Sequence, residues 1–332
     1  NLDLRGKVAS FAVRSESRQR LDACLALARS EHPMADSGMN WDADPNLLGV
    51  TNVVVDLRTG ILRSGHPGDR ITMQIPVEYD LNAECPRWEK FLHQVFQCDA
   101  EMIGFIQRAV GYSLTCSVRE QVLFLCYGIG SNGKSVFLNI LRHLAGEYAL
   151  NIPFTVLELQ QRPSMTNDLA AMAGRRLVTS SETNESTRLN EARIKALTGG
   201  DPITARFLYS ESFTYEPVAK FWLAVNHLPH VRDESHGFWR RVRVVPFNER
   251  FNGKDADQNH FFKLQEELPG ILNWAVQGAL NWQTVGLAPP AAVMTATDAY
   301  RKDNDELDGF ISDRCVVADG VRVEPGDLFT EY

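Results

Sequence analysis

At 332 residues the chain has length for two or three domains and a sizeable buried core. Its composition, 44% hydrophobic and 23% charged with no low-complexity tract, excludes fibrous and disordered classes, and no apolar run approaches the ~20 residues of a membrane span. A net charge of −8 excludes a histone-like coat protein, but screening over ~8 Å leaves room for a local cationic grip on nucleic acid.

Asn1 to Arg5 lacks both an initiator Met and the basic-then-apolar layout of a secretory signal, so the chain is expected to be a segment of something longer. Residues 10–30 place Phe11, Leu21, Cys24, Leu25 and Leu27 at helical spacing. Val50 to Gly60 is a β-branched run closed by a turn, which predicts the start of a hairpin. Pro86 to Phe96 and Ala100 to Leu114 read as two amphipathic helices, the first opened by its proline. This first third shows no catalytic constellation, and a structural or oligomerising role is expected of it. The six cysteines, Cys24, Cys85, Cys98, Cys116, Cys126 and Cys315, include no C-x-x-C pair, so neither a zinc site nor a redox motif is supported. Reduced thiols in a cytoplasmic protein are the expectation.

From Gln121 the pattern changes. Gln121 to Tyr127 is a short apolar run of the kind buried on both faces of a sheet, followed by a glycine-rich turn and a helix from Lys134 to about Ala145. Further apolar runs at Leu177 to Thr179, Phe221 to Val225 and Val242 to Phe247 predict an α/β fold, a sheet flanked by helices. Phe261 to Thr284 reads as helical again. The expected organisation is a mostly helical N-terminal domain over 1–112, a motor over 113–252 and a C-terminal helical segment over 253–332, which begins a new element after Pro325 and stops.

Gly128-Ile-Gly130-Ser131-Asn132-Gly133-Lys134-Ser135 matches G-x-x-x-x-G-K-[ST] completely. Glycines let backbone N–H groups turn inward around phosphates, and the following helix adds its positive N-terminal end. A chance match in this length is about one in a hundred, and rarer between a strand and a helix. The motif predicts an ATP site formed by Gly128, Gly130, Ser131, Asn132, Gly133, Lys134, Ser135 and Val136. Lys134 would neutralise the β/γ-phosphates and Ser135 would ligate Mg2+. A short strand running into Glu182 supplies the acid that shares the metal and polarises the attacking water; the alternative is a solvated loop carboxylate. Glu185 is the weaker candidate. Asn226 ends another buried run, where it can orient the lytic water or the γ-phosphate, although asparagine is also common in turns after strands. Arg240, Arg241 and Arg243 fall just before an apolar strand, and Arg240 or Arg241 suits a finger reaching a neighbouring subunit's phosphates. Surface or carboxylate-paired arginines are the plainer reading. His227, His230 and His236 cluster in sequence without metal-ligand spacing, and are read as ordinary histidines.

These elements in this order resemble superfamily 3 helicases, in the branch of phage, plasmid and poxvirus primase–helicases. The resemblance rests on Leu189 to Arg206, on Val225-Asn226-His227-Leu228-Pro229 and on Trp239 to Phe247, with Asn52 to Gly60 and Tyr79 to Pro86 upstream. It implies an AAA+-like P-loop NTPase, assembled as a hexameric ring, hydrolysing ATP and moving 3′ to 5′ on single-stranded DNA. It also implies a DNA-gripping hairpin over Ile203 to Glu216 and a primase domain in the full-length chain, and places the protein in the bacterial host cytoplasm if phage or plasmid encoded. The chain departs from the family at Ser181-Glu182, where two acids are usual, and at Tyr209 to Phe213, a hairpin tip without a basic residue. DNA contact then falls to Lys195, Arg206 and Lys220. Two rivals stand beside this reading: a small-molecule kinase, which leaves the distant arginine pair without a role, and an AAA+ ATPase that loads on DNA without unwinding it.

Overall fold

The computed structural model of the chain describes residues 2–32, 34–36, 41–160, 166–181, 187–233, 235–251, 257, 259–305, 314–315, 320 and 322–331. Two exposed helices come first, α1 (Leu2–Ser15) and α2 (Arg18–Ala28), then three short strands, β1 (Leu47–Gly49), β2 (Val54–Asp56) and β3 (Ile61–Arg63). The helices α3 (Pro86–Val95) and α4 (Ala100–Leu114) lead to β4 (Leu123–Tyr127) and α5 (Lys134–Ala145). Next come β5 (Ala149–Asn151), α6 (Asn167–Ala171), β6 (Leu177–Ser181) and α7 (Glu191–Gly199). The strands β7 (Ile203–Ala205) and β8 (Phe213–Tyr215) precede β9 (Lys220–Val225), α8 (His236–Trp239) and β10 (Val242–Pro246). Among the described residues there follow α9 (His260–Gln265), α10 (Leu268–Val285), α11 (Ala291–Asp303) and α12 (Pro325–Glu331).

Five strands form one parallel sheet in the order β10-β4-β9-β6-β5. Its two faces are separate cores, because successive side chains of a strand point to opposite sides. Phe124, Cys126, Trp222, Ala224 and Val245 face a core shared with α3, α4, α5 and α10. Leu123, Leu125, Phe221, Leu223, Val242 and Val244 face the other, with α7, α8 and α11. Burial on both faces is why these runs are continuously apolar rather than alternating.

α3 buries Trp88, Phe91, Leu92 and Val95, one stripe at helical spacing, and starts on Pro86. α4 is capped by Asp99, whose carboxylate accepts from the Glu101 and Met102 amides at 3.0 Å each. α4 and α10 pack backbone to backbone: a Cβ on Gly111 would stand 2.0 Å from the Ala279 nitrogen, and one on Gly278 would stand 2.0 Å from the Gln107 carbonyl oxygen. One of these helices lies in the expected first domain and the other in the expected third, and one apolar core runs from Leu48 to Val293. Packing therefore crosses both boundaries read from the sequence. In the N-terminal region the helices α1 and α2 are separated from α3 and α4 by the antiparallel β1-β2-β3 sheet and by irregular chain. Among the described residues no helix is long and apolar enough to cross a membrane.

Candidate nucleotide site

The loop from Gly128 to Ser135 leaves the C-terminal end of β4 and enters α5 at Lys134. Both strands beside β4 help to hold it. On one side Tyr127 pairs with Val225, so Asn226 follows next to Gly128, and the Gly128 amide donates to the Val225 carbonyl at 3.3 Å. On the other side Asn132, itself buried, donates through Nδ2 to the Phe247 carbonyl at 3.1 Å. A Cβ at Gly128 would lie 2.3 Å from that same carbonyl oxygen, which leaves glycine as the residue that fits.

Lys134 is 5% exposed, and its ammonium donates to Asn132 Oδ1 and Asn226 Oδ1, both at 3.2 Å, and to the Gly128 carbonyl. Burial holds its pKa below the ordinary lysine value. The ammonium is thus fixed at the N-terminus of a twelve-residue helix, where backbone dipoles favour an anion. All three partners are oxygens of the loop or of Asn226 that phosphate oxygens can replace. Ser135 is exposed in the first turn of the same helix, where a hydroxyl can meet a phosphate-bound cation. The residues read as the nucleotide loop and Asn226 are therefore brought together. Glu182 and Glu185 lie outside the described residues; the strand before them ends at Ser181, which pairs with Ala224 on β9.

Arg240 and Arg241 precede β10, whose first residue Val242 pairs with Leu123 at the start of β4. They stand at the opposite end of the sheet from the loop, about 16 Å away along five strand residues. The structure separates the pair. Arg241 is buried at 9% exposure, donates to the Gly237 carbonyl, leaves its Nε without a hydrogen bond, and is driven below the usual arginine range by burial and then by Arg240. Arg240 is exposed and donates to the Gln121 side chain.

Ile203 to Glu216 does contain a hairpin, with Ile203 opposite Tyr215 and Ala205 opposite Phe213. Its base is anchored by the Tyr215 hydroxyl, which donates to the Leu169 carbonyl at 2.5 Å. At its tip Phe207, Leu208 and Tyr209 are exposed, Tyr209 at 99% and with φ of +61°. Arg206 is exposed beside them, while Lys195 on α7 is paired with Asp233 and donates to Ser235 Oγ at 3.1 Å. Lys220 corrects the sequence reading. It is 1% exposed, and its ammonium donates to the Thr115 and Val218 carbonyls over the Tyr112 ring, so it faces the interior rather than a DNA strand. An isolated lysine opening an apolar run carries no sequence sign of this burial. The brace from Asn132 to Phe247 was equally hidden, since 115 residues separate the two.

A family model described as D5 N terminal like matches residues 3–97, and one described as a family of unknown function matches residues 126–241. A putative helicase of Acanthamoeba polyphaga mimivirus is 30% identical over 85% of this chain and 32% of its own length. A putative helicase of Frog virus 3 is 24% identical over 82% of this chain and 36% of its own length. A putative primase of African swine fever virus is 26% identical over 83% of this chain and 31% of its own length. The chain thus spans about a third of the length of these curated relatives. Among solved structures, the apo C terminal region of NrS-1 superposes with a TM-score of 0.50 at 14% identity, covering 84% of this chain and 68% of that one, a likeness of fold. This chain's D5 N terminal like segment and its viral relatives support its likeness to the phage and poxvirus primase–helicase branch.

Proposed function

We propose that the chain is the ATP-hydrolysing motor of a replicative DNA helicase of superfamily 3, working 3′ to 5′ on single-stranded DNA as a ring of copies, a hexamer in the family it resembles. The observation that carries the reading is the loop after β4, where buried Lys134 is offered to a helix N-terminus between Asn132 and Asn226. The names of the relatives, putative helicase and putative primase, support a role in DNA replication and a primase domain elsewhere in the full-length protein.

In this reading Lys134 gives up its three oxygens for the β/γ-phosphates. Mg2+ would be held by the Ser135 hydroxyl and Glu182, and supplies charge neutralisation on the phosphates. Glu182 takes the proton of the attacking water, and Asn226 orients that water or the γ-phosphate. Arg240, exposed at the far end of the sheet, serves a neighbouring copy, because it cannot reach the phosphates of its own chain. The hairpin over 203–216 meets the DNA strand, with Arg206 and Lys195 nearby.

A strand-displacement assay with hydrolysable and non-hydrolysable ATP tests the reading. Unwinding with the first and none with the second is expected. DNA binding without displacement under either would make the chain a loader instead. Glu182→Gln should retain ATP binding while turnover drops ~10²-fold or more, the scale of losing a general base. If Glu185→Gln removes turnover and Glu182→Gln does not, the acid has been misassigned.

A further inference from the structure

The helices α1 and α2 carry apolar stripes that neither core covers. Leu4, Val8 and Phe11 share one face of α1, Leu21 and Leu25 share one face of α2, and all five side chains are more than half exposed. No residue of the pair belongs to either core. The pair is also basic, with six cations against three carboxylates over residues 2–29. Apolar surface held together in water and flanked by charge is the mark of an interface.

A groove of the complementary chemistry runs beside α10. It has a volume of about 690 Å3 and is bounded by α10, by Gln107 on α4, by the chain over 79–86 and by the turn at Gly60. Asn273, Gln277 and Leu280 line it at helical spacing, and Leu81, Trp274 and Leu280 give it apolar walls. Its charged residues are Glu84 and Glu89, both exposed, and among the described residues no lysine or arginine lines it. The Cys85 thiol beneath is pushed up to about 12 by burial and then by Glu89, Glu267 and Glu84, which agrees with a negative rim. An apolar groove edged by carboxylates suits an amphipathic helix edged by cations. Within one chain the two surfaces do not meet, since no residue of α1 or α2 lines the groove.

We propose that the α1–α2 pair of one copy docks in the groove beside α10 of a second copy, with its apolar stripes on Leu81, Trp274 and Leu280 and its cations toward Glu84 and Glu89. Such a contact is head to tail, the kind that closes copies into a ring when the rotation allows. It deepens the ring reading proposed above but needs no nucleotide, because neither surface includes the phosphate loop.

Sedimentation velocity of the intact chain over a range of concentrations, without nucleotide, measures the contact. The wild-type chain should self-associate. Val8→Asp/Phe11→Asp, which spoils the helix stripe, and Glu84→Lys/Glu89→Lys, which reverses the groove, should each weaken association by about ten-fold or more, the scale of a disrupted interface anchor. All four side chains are exposed, so the fold should survive both changes. An equimolar mixture of the two variants should form one-to-one heterodimers and stop there, because a single pairing of intact stripe with intact groove remains. Undiminished association in either variant, or a mixture no larger than its parts, would overturn the docking. So would a wild-type chain that stays monomeric without nucleotide. If magnesium ATP then assembles that chain, the ring reading stands without this contact; if it does not, both fall.

Discussion

Two buried lysines stand at opposite ends of one parallel sheet, and they hold different kinds of partner. Lys134, past the C-terminal end of β4, donates to the side chains of Asn132 and Asn226 and to a loop carbonyl. Lys220, at the N-terminal end of β9, donates to the carbonyls of Thr115 and Val218. Thr115 is the C-cap of α4, and Arg176 next to it donates to the Leu114 and Leu47 carbonyls at 2.8 Å each. At that end the cations complete the hydrogen bonding of a helix terminus, whose last carbonyls have no partner within the helix. At the other end the cation's partners can be exchanged for a ligand. Burial of a lysine therefore does not by itself mark a site; the replaceability of its acceptors does.

The contrast is broken most directly at Lys134. Lys134→Ala should reduce ATP turnover to background while the thermal melting temperature stays within a few degrees of wild type. A variant with wild-type turnover would mean that the loop does not hold phosphate. Next in size is Arg240→Ala, which should lower turnover by about 10³-fold with ATP binding retained. Mixing it with Lys134→Ala should restore part of the activity, since a mixed interface pairs an intact loop with an intact arginine. Absence of rescue, with specific activity independent of protein concentration, would confine the site to one chain.

At the structural end the expected effect is on stability. Lys220→Met should cost about 2–4 kcal/mol in denaturant unfolding by leaving buried carbonyls unpaired, with ATP affinity unchanged in the folded fraction. Burial pushes the Lys220 pKa down to about 7. Between there and the ordinary lysine range the unfolded chain holds a proton that the folded chain has released, so stability should rise with pH from about 7 to about 10. Below that window both states are protonated and the slope vanishes. Melting curves at pH 7, 8 and 9 should show the rise in wild type, and Lys220→Met should lack its share of it. The smallest effect belongs to DNA. The Lys195→Ala/Arg206→Ala double variant should flatten the log–log salt dependence of single-strand binding by about 1.4, or ~0.7 for each lost phosphate contact. An unchanged slope would move the strand away from α7 and the hairpin.

What could be read from the sequence was what depends on near neighbours. The helix from Lys134 to Ala145 follows from its glycine cap and apolar spacing, and the hairpin over 203–216 from a recognisable segment. Four of the five sheet strands show as apolar runs because each is covered on both faces; β5, three residues and partly exposed at the sheet edge, does not. What could not be read depends on residues distant in the chain. Lys220 looks like any cation until α4 ends above it, and Asn132 meets the Phe247 carbonyl only once β10 has joined β4. The difference between Arg240 and Arg241 is likewise one of burial, which two adjacent identical residues cannot show.

The contact between α4 and α10 bears on how the molecule is made. The Gln107 side chain donates to the Trp274 carbonyl across 167 residues of chain, and the whole sheet is encoded between these two helices. Contacts this distant close a long loop before they return any stabilisation, which slows folding. On a ribosome the apolar side of α4 emerges well before its partner exists. Completion of the core therefore waits for α10, and a chain released before that helix is made would present the uncovered face of α4 to its surroundings, where aggregation competes with folding.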